Sequence, residues 1–216
     1  MFHLESASAN YQGKTVLEDI TLHIPAGQKL ALVGHSGSGK STLLNLLYEQ
    51  NPKAIALVPQ DYGLVSSLSV FHNVYMGQLG RQTLWYNLLN LIKPQKQPVA
   101  DVQAILESVA LNDKIFEPVA QLLVGQQQRT AIARAMMHDG NILLADDLAS
   151  SLDEYQSKLV MGILCKRFET LVFALHDIDL ALGYCDRIVG LDHGRIVIDA
   201  TARSLKRSDL LELYGE

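Results

Sequence analysis

The run Gly34, His35, Ser36, Gly37, Ser38, Gly39, Lys40, Ser41, Thr42 fits the pattern G-x-x-x-x-G-K-[ST]. It lies between an apolar strand, Leu30 to Val33, and a helix-forming stretch, Leu43 to Tyr48. Glycines let such a loop turn its backbone N–H groups toward phosphate oxygens at the helix N-terminus. Lys40 is expected to reach the outer phosphates, and Ser41 to offer its hydroxyl to Mg²⁺. The expected ligand is a nucleoside triphosphate.

Elements must bring partners to this loop. Short apolar strands at Leu30 to Val33, Ile55 to Val58, Ile142 to Ala145 and Leu171 to Ala174 alternate with helical patterns. That alternation predicts an α/β fold with a mainly parallel, helix-covered sheet, which binds ligands at its strand carboxyl ends. The loop, Gln60, the pair Asp146 and Asp147, and His176 each follow such a strand, so four separated segments are expected in one crevice. Ahead of them, Phe2 to Ser8 and Ile20 to Ile24 alternate and are flanked by turn residues, predicting an antiparallel β layer. From Ser69 to His138 the chain reads almost wholly helical. Val99, Val102, Ile105, Leu106 and Val109 recur at helical spacing behind Pro98, as in an inserted helical subdomain. The expected division is a core of residues 1–60 and 139–216 and a helical part of residues 61–138.

Composition narrows the function classes. The 216 residues carry 18 Lys and Arg against 23 Asp and Glu, so no global basic field recruits nucleic acid. Hydrophobic residues make up 48%, enough for a substantial core. Apolar runs such as Leu171 to Leu175 are far shorter than the roughly 20 residues of a membrane span. Met1 to Asn10 lacks a basic stretch followed by an apolar one, so no secretory signal is expected. Cys165 and Cys185, without metal-ligand spacing, suit a reducing compartment. The cytoplasm is the expected location.

Taken in order, these residues resemble the ATP-binding subunit of an ATP-binding-cassette (ABC) transporter over nearly the whole chain. Tyr11 stands where that family places an aromatic on adenine. Gln60, in Val58-Pro59-Gln60-Asp61, matches its Q-loop, and His176, in Leu175-His176-Asp177, its switch histidine. Leu122 to Arg129 looks like the L-S-G-G-Q signature and its continuation, retaining Gly125 and Gln126. Ser150-Ser151-Leu152-Asp153 looks like the D-loop. Alone, Tyr11 could be a core or turn aromatic and His176 a satisfied buried histidine; the sequence order carries the likeness. The resemblance implies ATP and Mg²⁺ as ligands, with Asp146 and Gln60 beside Ser41 at the metal. It implies Asp147 as the carboxylate that polarises the attacking water, and His176 at the γ-phosphate. It also implies a head-to-tail dimer, with an identical or a different second subunit, in which each signature completes the other chain's site. Residues Gln60 to Gly80 would contact an integral membrane permease, fed by a solute-binding protein, so the chain is expected peripherally on the cytoplasmic face of the inner (plasma) membrane.

Met76 to Trp85, Asp179 to Leu191 and Leu213-Tyr214-Gly215 look like the ATPases of phosphonate importers, implying import of a small, phosphonate-like solute. Trp85 with Leu84, Leu88 and Leu89 also fits an amphipathic core face. Departures matter as much. Leu123 replaces the signature serine and removes a hydroxyl donor; Val124 replaces its first glycine, where a β-branched side chain would oppose close approach or a positive φ. Asp147 replaces glutamate and draws the carboxylate back by one methylene. Leu148 replaces a proline, and only 19 residues separate Lys40 from Gln60, so part of the antiparallel layer is expected to be missing. Two functions follow: an ATPase that hydrolyses slowly while driving an importer, or a nucleotide-binding regulatory or assembly subunit with little hydrolysis.

Overall fold

Uninterrupted apolar runs build the central sheet of the computed structural model, which describes residues 2–11 and 13–214; the side chains of Tyr11 and Glu212 lie outside that description. The chain forms two units, Met1–Gln60 with Asn141–Glu216, and Asp61–Gly140.

The first unit opens with β1 (Phe2–Tyr11) and β2 (Lys14–Ile24), a two-stranded antiparallel ribbon. Leu17, Ile20, Leu22 and Ile24 turn inward from β2, and outward positions are largely exposed. β3 (Lys29–Val33) leads through the glycine loop into α1 (Lys40–Gln50). Only four residues then precede β4 (Ile55–Val58), so no further strand intervenes between Lys40 and Gln60. Chain order resumes in this unit with β5 (Ile142–Asp146), after the helices of the second unit.

Those helices are α2 (Val70–Tyr75), α3 (Leu84–Ile92), α4 (Lys96–Ser108) and α5 (Val124–Met136). The first unit continues with α6 (Glu154–Arg167), β6 (Thr170–Ala174), α7 (Ile178–Tyr184), β7 (Arg187–Asp192), β8 (Arg195–Thr201) and α8 (Arg207–Leu211). Its six-stranded sheet runs β4-β5-β6-β3-β7-β8, parallel except for β8, which returns antiparallel to β7. The expected α/β architecture with an antiparallel ribbon is the one observed. β3 and β6 are buried almost throughout, as a sheet covered on both faces demands. Leu43, Leu44 and Leu47 of α1 are buried in the core beside Leu30, Leu32, Leu144 and Val172. At about 1.5–3 kcal/mol per buried Leu, they clamp α1, and with it the glycine loop, to the sheet.

The second unit departs from an all-helical reading. Between Val109 and Leu123 the chain makes only short 3₁₀ turns, Asn112–Lys114 and Val119–Gln121, and Ser69 forms an antiparallel bridge with Pro118. Pro98 does not precede a helix; it sits in the first turn of α4, where no intrahelical N–H is needed. Buried Asn73 fixes the loop before α2: its Nδ2 donates to the carbonyls of Val65, Leu68 and Ser69, and its Oδ1 accepts from Val65 N at 2.8 Å. α3 is not a core face, since Trp85 is 80% exposed and Leu84, Leu88 and Leu89 are exposed with it.

Candidate nucleotide site

The loop Gly34 to Gly39 joins β3 to α1 under tight steric control. Gly39 caps α1 with φ 109°, a conformation that side chains rarely adopt, and a Cβ there would lie 2.6 Å from Leu17 Cδ2. At Gly34 a Cβ would meet the Leu191 carbonyl oxygen at 2.2 Å. Gly34 N–H donates to the Tyr214 hydroxyl at 3.3 Å, and Gly194 N–H donates to the Ser38 carbonyl at 3.1 Å, tying the loop to the β7–β8 turn. Lys40 is buried and folds back, donating from Nζ to the carbonyls of Gly34 (2.8 Å) and His35 (3.0 Å). Burial lowers its pKa, against the opposing pull of Asp146 and Asp147.

A cleft of about 220 Å³ joins this loop to distant segments. Ser36, Gly37, Gly39, Lys40, Ser41 and Thr42 line one side; Gln60, Asp146, Asp147 and His176 come from the carboxyl ends of β4, β5 and β6. Asp146 ends β5 and accepts a hydrogen bond from the Ser41 hydroxyl. Burial raises the Asp146 pKa; that hydrogen bond opposes the rise, Asp147 adds to it, and Lys40 and His176 work against it. Asp147 has φ 53°, and its N–H donates to the Ala174 carbonyl at 3.1 Å. Aspartate tolerates this left-handed backbone better than most side chains, because its short carboxylate can satisfy nearby backbone groups. His176 is exposed rather than buried as a core histidine, leaving its ring free to meet a ligand. A larger groove, about 850 Å³, runs from Asp147 and His176 along α6 and α7, but it has no phosphate-binding loop in its lining.

Other predicted residues stand apart. Ser38 is buried beneath the loop. His35 sits on the loop but turns its ring to Asp192 at 2.9 Å. The Tyr11 side chain lies outside the described residues, so the expected adenine contact is not described. Gly125 and Gln126 belong to the second unit, in the first turn of α5. There Leu123 is the N-cap residue and Val124 opens the helix with helical backbone, so the expected conflict over a positive φ does not arise. The Gln126 side chain accepts from Leu123 N–H at 3.0 Å, but the leucine side chain cannot return a cap. Leu123 is 73% exposed and Val124 57%. Asp153 caps α6, accepting from Gln156 N–H at 2.8 Å. Two contributors were missed from sequence, Val16 in the cleft wall and the Tyr214 hydroxyl. Neither belongs to the local motif, and for Tyr214 the only signal was its place in the Leu213-Tyr214-Gly215 likeness.

Comparison with known proteins agrees with this fold. The family model described as ABC transporter matches residues 17–54 and 48–150. The phosphonates import ATP-binding protein PhnC of Rhizobium meliloti (strain 1021) is 32% identical over 244 aligned positions, covering 100% of this chain and 87% of that protein. Its namesake in Cupriavidus pinatubonensis is 34% identical, covering 94% of this chain and 83% of its own length. The dimeric structure of a bacterial ABC transporter cassette superposes with a TM-score of 0.83 at 24% identity, covering 95% of this chain and 100% of that one. A dimeric post-hydrolysis cassette bound to ADP and phosphate gives 0.81 at 24% identity, covering 94% and 99%. At that identity the solved structures speak for the fold.

Proposed function

Because the chain belongs to the ABC transporter family of ATP-binding subunits, we propose that it binds ATP with Mg²⁺ in the cleft at Lys40 and Ser41, hydrolyses it slowly, and drives import of a small phosphonate-like solute. The observation that carries this reading is the meeting of the glycine loop, Gln60, Asp146, Asp147 and His176 around one cleft of the first unit. The Ser41 hydroxyl and the Asp146 carboxylate are hard oxygen donors already within hydrogen-bond reach of each other, a donor set that suits Mg²⁺. Bound there with Gln60 nearby, the ion supplies neutralisation of phosphate charge.

The protein's own residues do the rest. Lys40 exchanges the carbonyls of Gly34 and His35 for phosphate oxygens, giving up neutral acceptors for charged ones. Loop N–H groups and the α1 N-terminus hold the phosphates. Asp147 positions and polarises the attacking water, and His176 donates toward the γ-phosphate. Tyr11 is assigned to the adenine. Gly125 and Gln126 are assigned to the nucleotide of a second subunit, in a head-to-tail dimer of identical or different chains. The cargo follows the phosphonate import proteins that this chain resembles.

For the permease contact, the second unit offers an apolar groove of about 320 Å³, lined by Leu68, His72, Tyr75, Met76 and Leu79 and continued by Leu84, Leu88 and Leu91 of α3. The proposed docking surface therefore extends past Gly80. Among the described residues no helix is long and apolar enough to cross a membrane, in keeping with a peripheral place on the cytoplasmic face beside a separate permease. Leu123, without a hydroxyl at the cap of α5, favours the second reading, a regulatory or assembly subunit that closes on ATP with little turnover. Mg²⁺-dependent ATP hydrolysis by the purified chain, beside Lys40→Ala and a Leu123→Ser, Val124→Gly, Asp147→Glu variant, decides between them. Activity that Lys40→Ala removes is expected for the slow ATPase. Silence in the native chain with recovery in the triple variant means a regulatory subunit, and nucleotide binding that survives Lys40→Ala undiminished refutes the site itself.

A further inference from the structure

The side chain of His35 leaves the glycine loop and meets the turn between β7 and β8. Its Nδ1 lies 2.7 Å from the Ser36 carbonyl oxygen, which can only accept, so Nδ1 carries the hydrogen and donates. Its Nε2 lies 2.9 Å from Asp192 Oδ1. In a neutral ring with that tautomer, Nε2 points a lone pair at a carboxylate oxygen, and neither atom has a proton to offer. The contact needs either a proton on one of the two atoms or a metal cation between them. His193 Nε2 stands 3.8 Å from the same Oδ1, and the two imidazoles meet edge to face with centroids 5.3 Å apart. One ligand atom from each of the three residues lies within 4.8 Å of the others.

We propose that His35, Asp192 and His193 form a binding site for a borderline divalent transition cation of the zinc type, outside the nucleotide cleft. Two imidazoles with one carboxylate select such ions over Mg²⁺, which prefers oxygen throughout. Three protein ligands leave an open position for water, the arrangement of zinc sites that are not purely structural. At 2.9 Å the two atoms are closer than the roughly 3.3 Å chord of two bonds of about 2.05 Å at the tetrahedral angle, so taking the ion requires them to part by a few tenths of an ångström. The exposed His193 ring can rotate to complete the set. His35 is further prepared in the way of metal-bound histidines, whose other ring N–H donates to a carbonyl that fixes tautomer and orientation. His35 does not line the nucleotide cleft, so this site stands independently of the nucleotide assignment. A cation here would pin the glycine loop to the β7–β8 turn from the outer side, reinforcing the bond from Gly194 N–H to the Ser38 carbonyl.

The test is titration of the metal-free full chain with Zn²⁺ against a chromophoric chelator, and with Co²⁺ followed by visible absorption, alongside Asp192→Asn and His193→Asn. Asparagine accepts the left-handed backbone of His193, φ 45°, and a circular-dichroism melt checks that each variant is folded. One Zn²⁺ per chain is expected, weakened by about tenfold or more in each variant. His3→Gln, which removes a separate histidine–carboxylate contact with Glu5, is expected to change nothing. The Co²⁺ spectrum should lack thiolate charge-transfer bands. Zn²⁺ affinity that is absent, or equal in native and His193→Asn chains, overturns the proposal and leaves Asp192 as counterion of a protonated His35. So does binding lost through His3→Gln, or a thiolate spectrum that assigns the metal to a cysteine.

Discussion

Replacing Leu123 by serine should stabilise the chain relative to alanine at the same position. Leu123 is the N-cap of α5, with φ −65° and ψ 155°, the extended backbone from which a serine hydroxyl can accept from the N–H of Gln126. Half of the reciprocal pair exists already, because Gln126 Oε1 accepts from Leu123 N–H at 3.0 Å. A serine cap in place of alanine contributes about 1 kcal/mol, within a range of roughly 0.5–2. Loss of the leucine itself costs less. The residue is 73% exposed, so about a quarter of the 1.5–3 kcal/mol of a fully buried Leu is at stake, and both variants lose it alike. The difference between Leu123→Ser and Leu123→Ala therefore isolates the cap. For a chain of 216 residues it amounts to a melting temperature about 2–4 °C higher for serine. Thermal and urea unfolding followed by circular dichroism, without nucleotide, reads it directly. Equal stability of the two variants would refute the capping geometry, and a less stable serine variant would mean that α5 begins elsewhere.

Three further outcomes are expected. Lys40→Ala should weaken binding of a fluorescent ATP analogue by at least about tenfold, since charge-assisted bonds contribute roughly 1.5–3 kcal/mol each; a calorimetric or fluorescence titration with unchanged affinity would contradict it. The Asp146 carboxyl, raised by burial, favours folding only when protonated. Asp146→Asn should thus raise the nucleotide-free melting temperature at neutral pH, with the gain fading as pH falls through the Asp146 pKa toward the unfolded value of 3.8. Melts across that pH range that show a constant gain would contradict the assignment, and the same variant should lose Mg²⁺-dependent stabilisation by ATP. Asn73→Ala strands the Val65 N–H and removes one of the two partners of each of the Val65, Leu68 and Ser69 carbonyls. It should cost about 3 kcal/mol in urea unfolding, and a cost under about 1 kcal/mol would show that the loop finds other partners.

What could be read from the sequence was what depends on neighbours along the chain. The glycine loop, the strand ending at Asp146 and the strand before His176 announce themselves by type and spacing, and the parallel sheet follows from their alternation. Features set by distant contacts could not be read this way. The need for glycine at Gly34 comes from the Leu191 carbonyl, and the hydroxyl that binds its N–H comes from Tyr214. The segment from Val109 to Leu123 falls within the helical reading of Ser69 to His138, yet it buries Val109, Leu111, Val119 and Leu122 from irregular backbone with two short 3₁₀ turns. The apolar spacing of α3 fits either a core or a partner, and exposure alone distinguishes them. At Asp147 the sequence showed a shortened carboxylate; the left-handed backbone that favours aspartate there emerged only from the fold.

The position of β3 also orders events in time. Both of its neighbours, β6 and β7, are encoded after the helical unit, so on a ribosome the strand that carries the glycine loop emerges with neither edge covered. One edge stays open until translation has passed Ala174 and the other until it has passed Asp192, and the hydroxyl that holds Gly34 arrives 180 residues after the glycine itself. The nucleotide loop is thus among the first segments made and among the last completed. A nascent chain stalled before β6 presents an apolar strand with both edges open to chaperones and to other chains, which makes synthesis a period of exposure to aggregation for this protein.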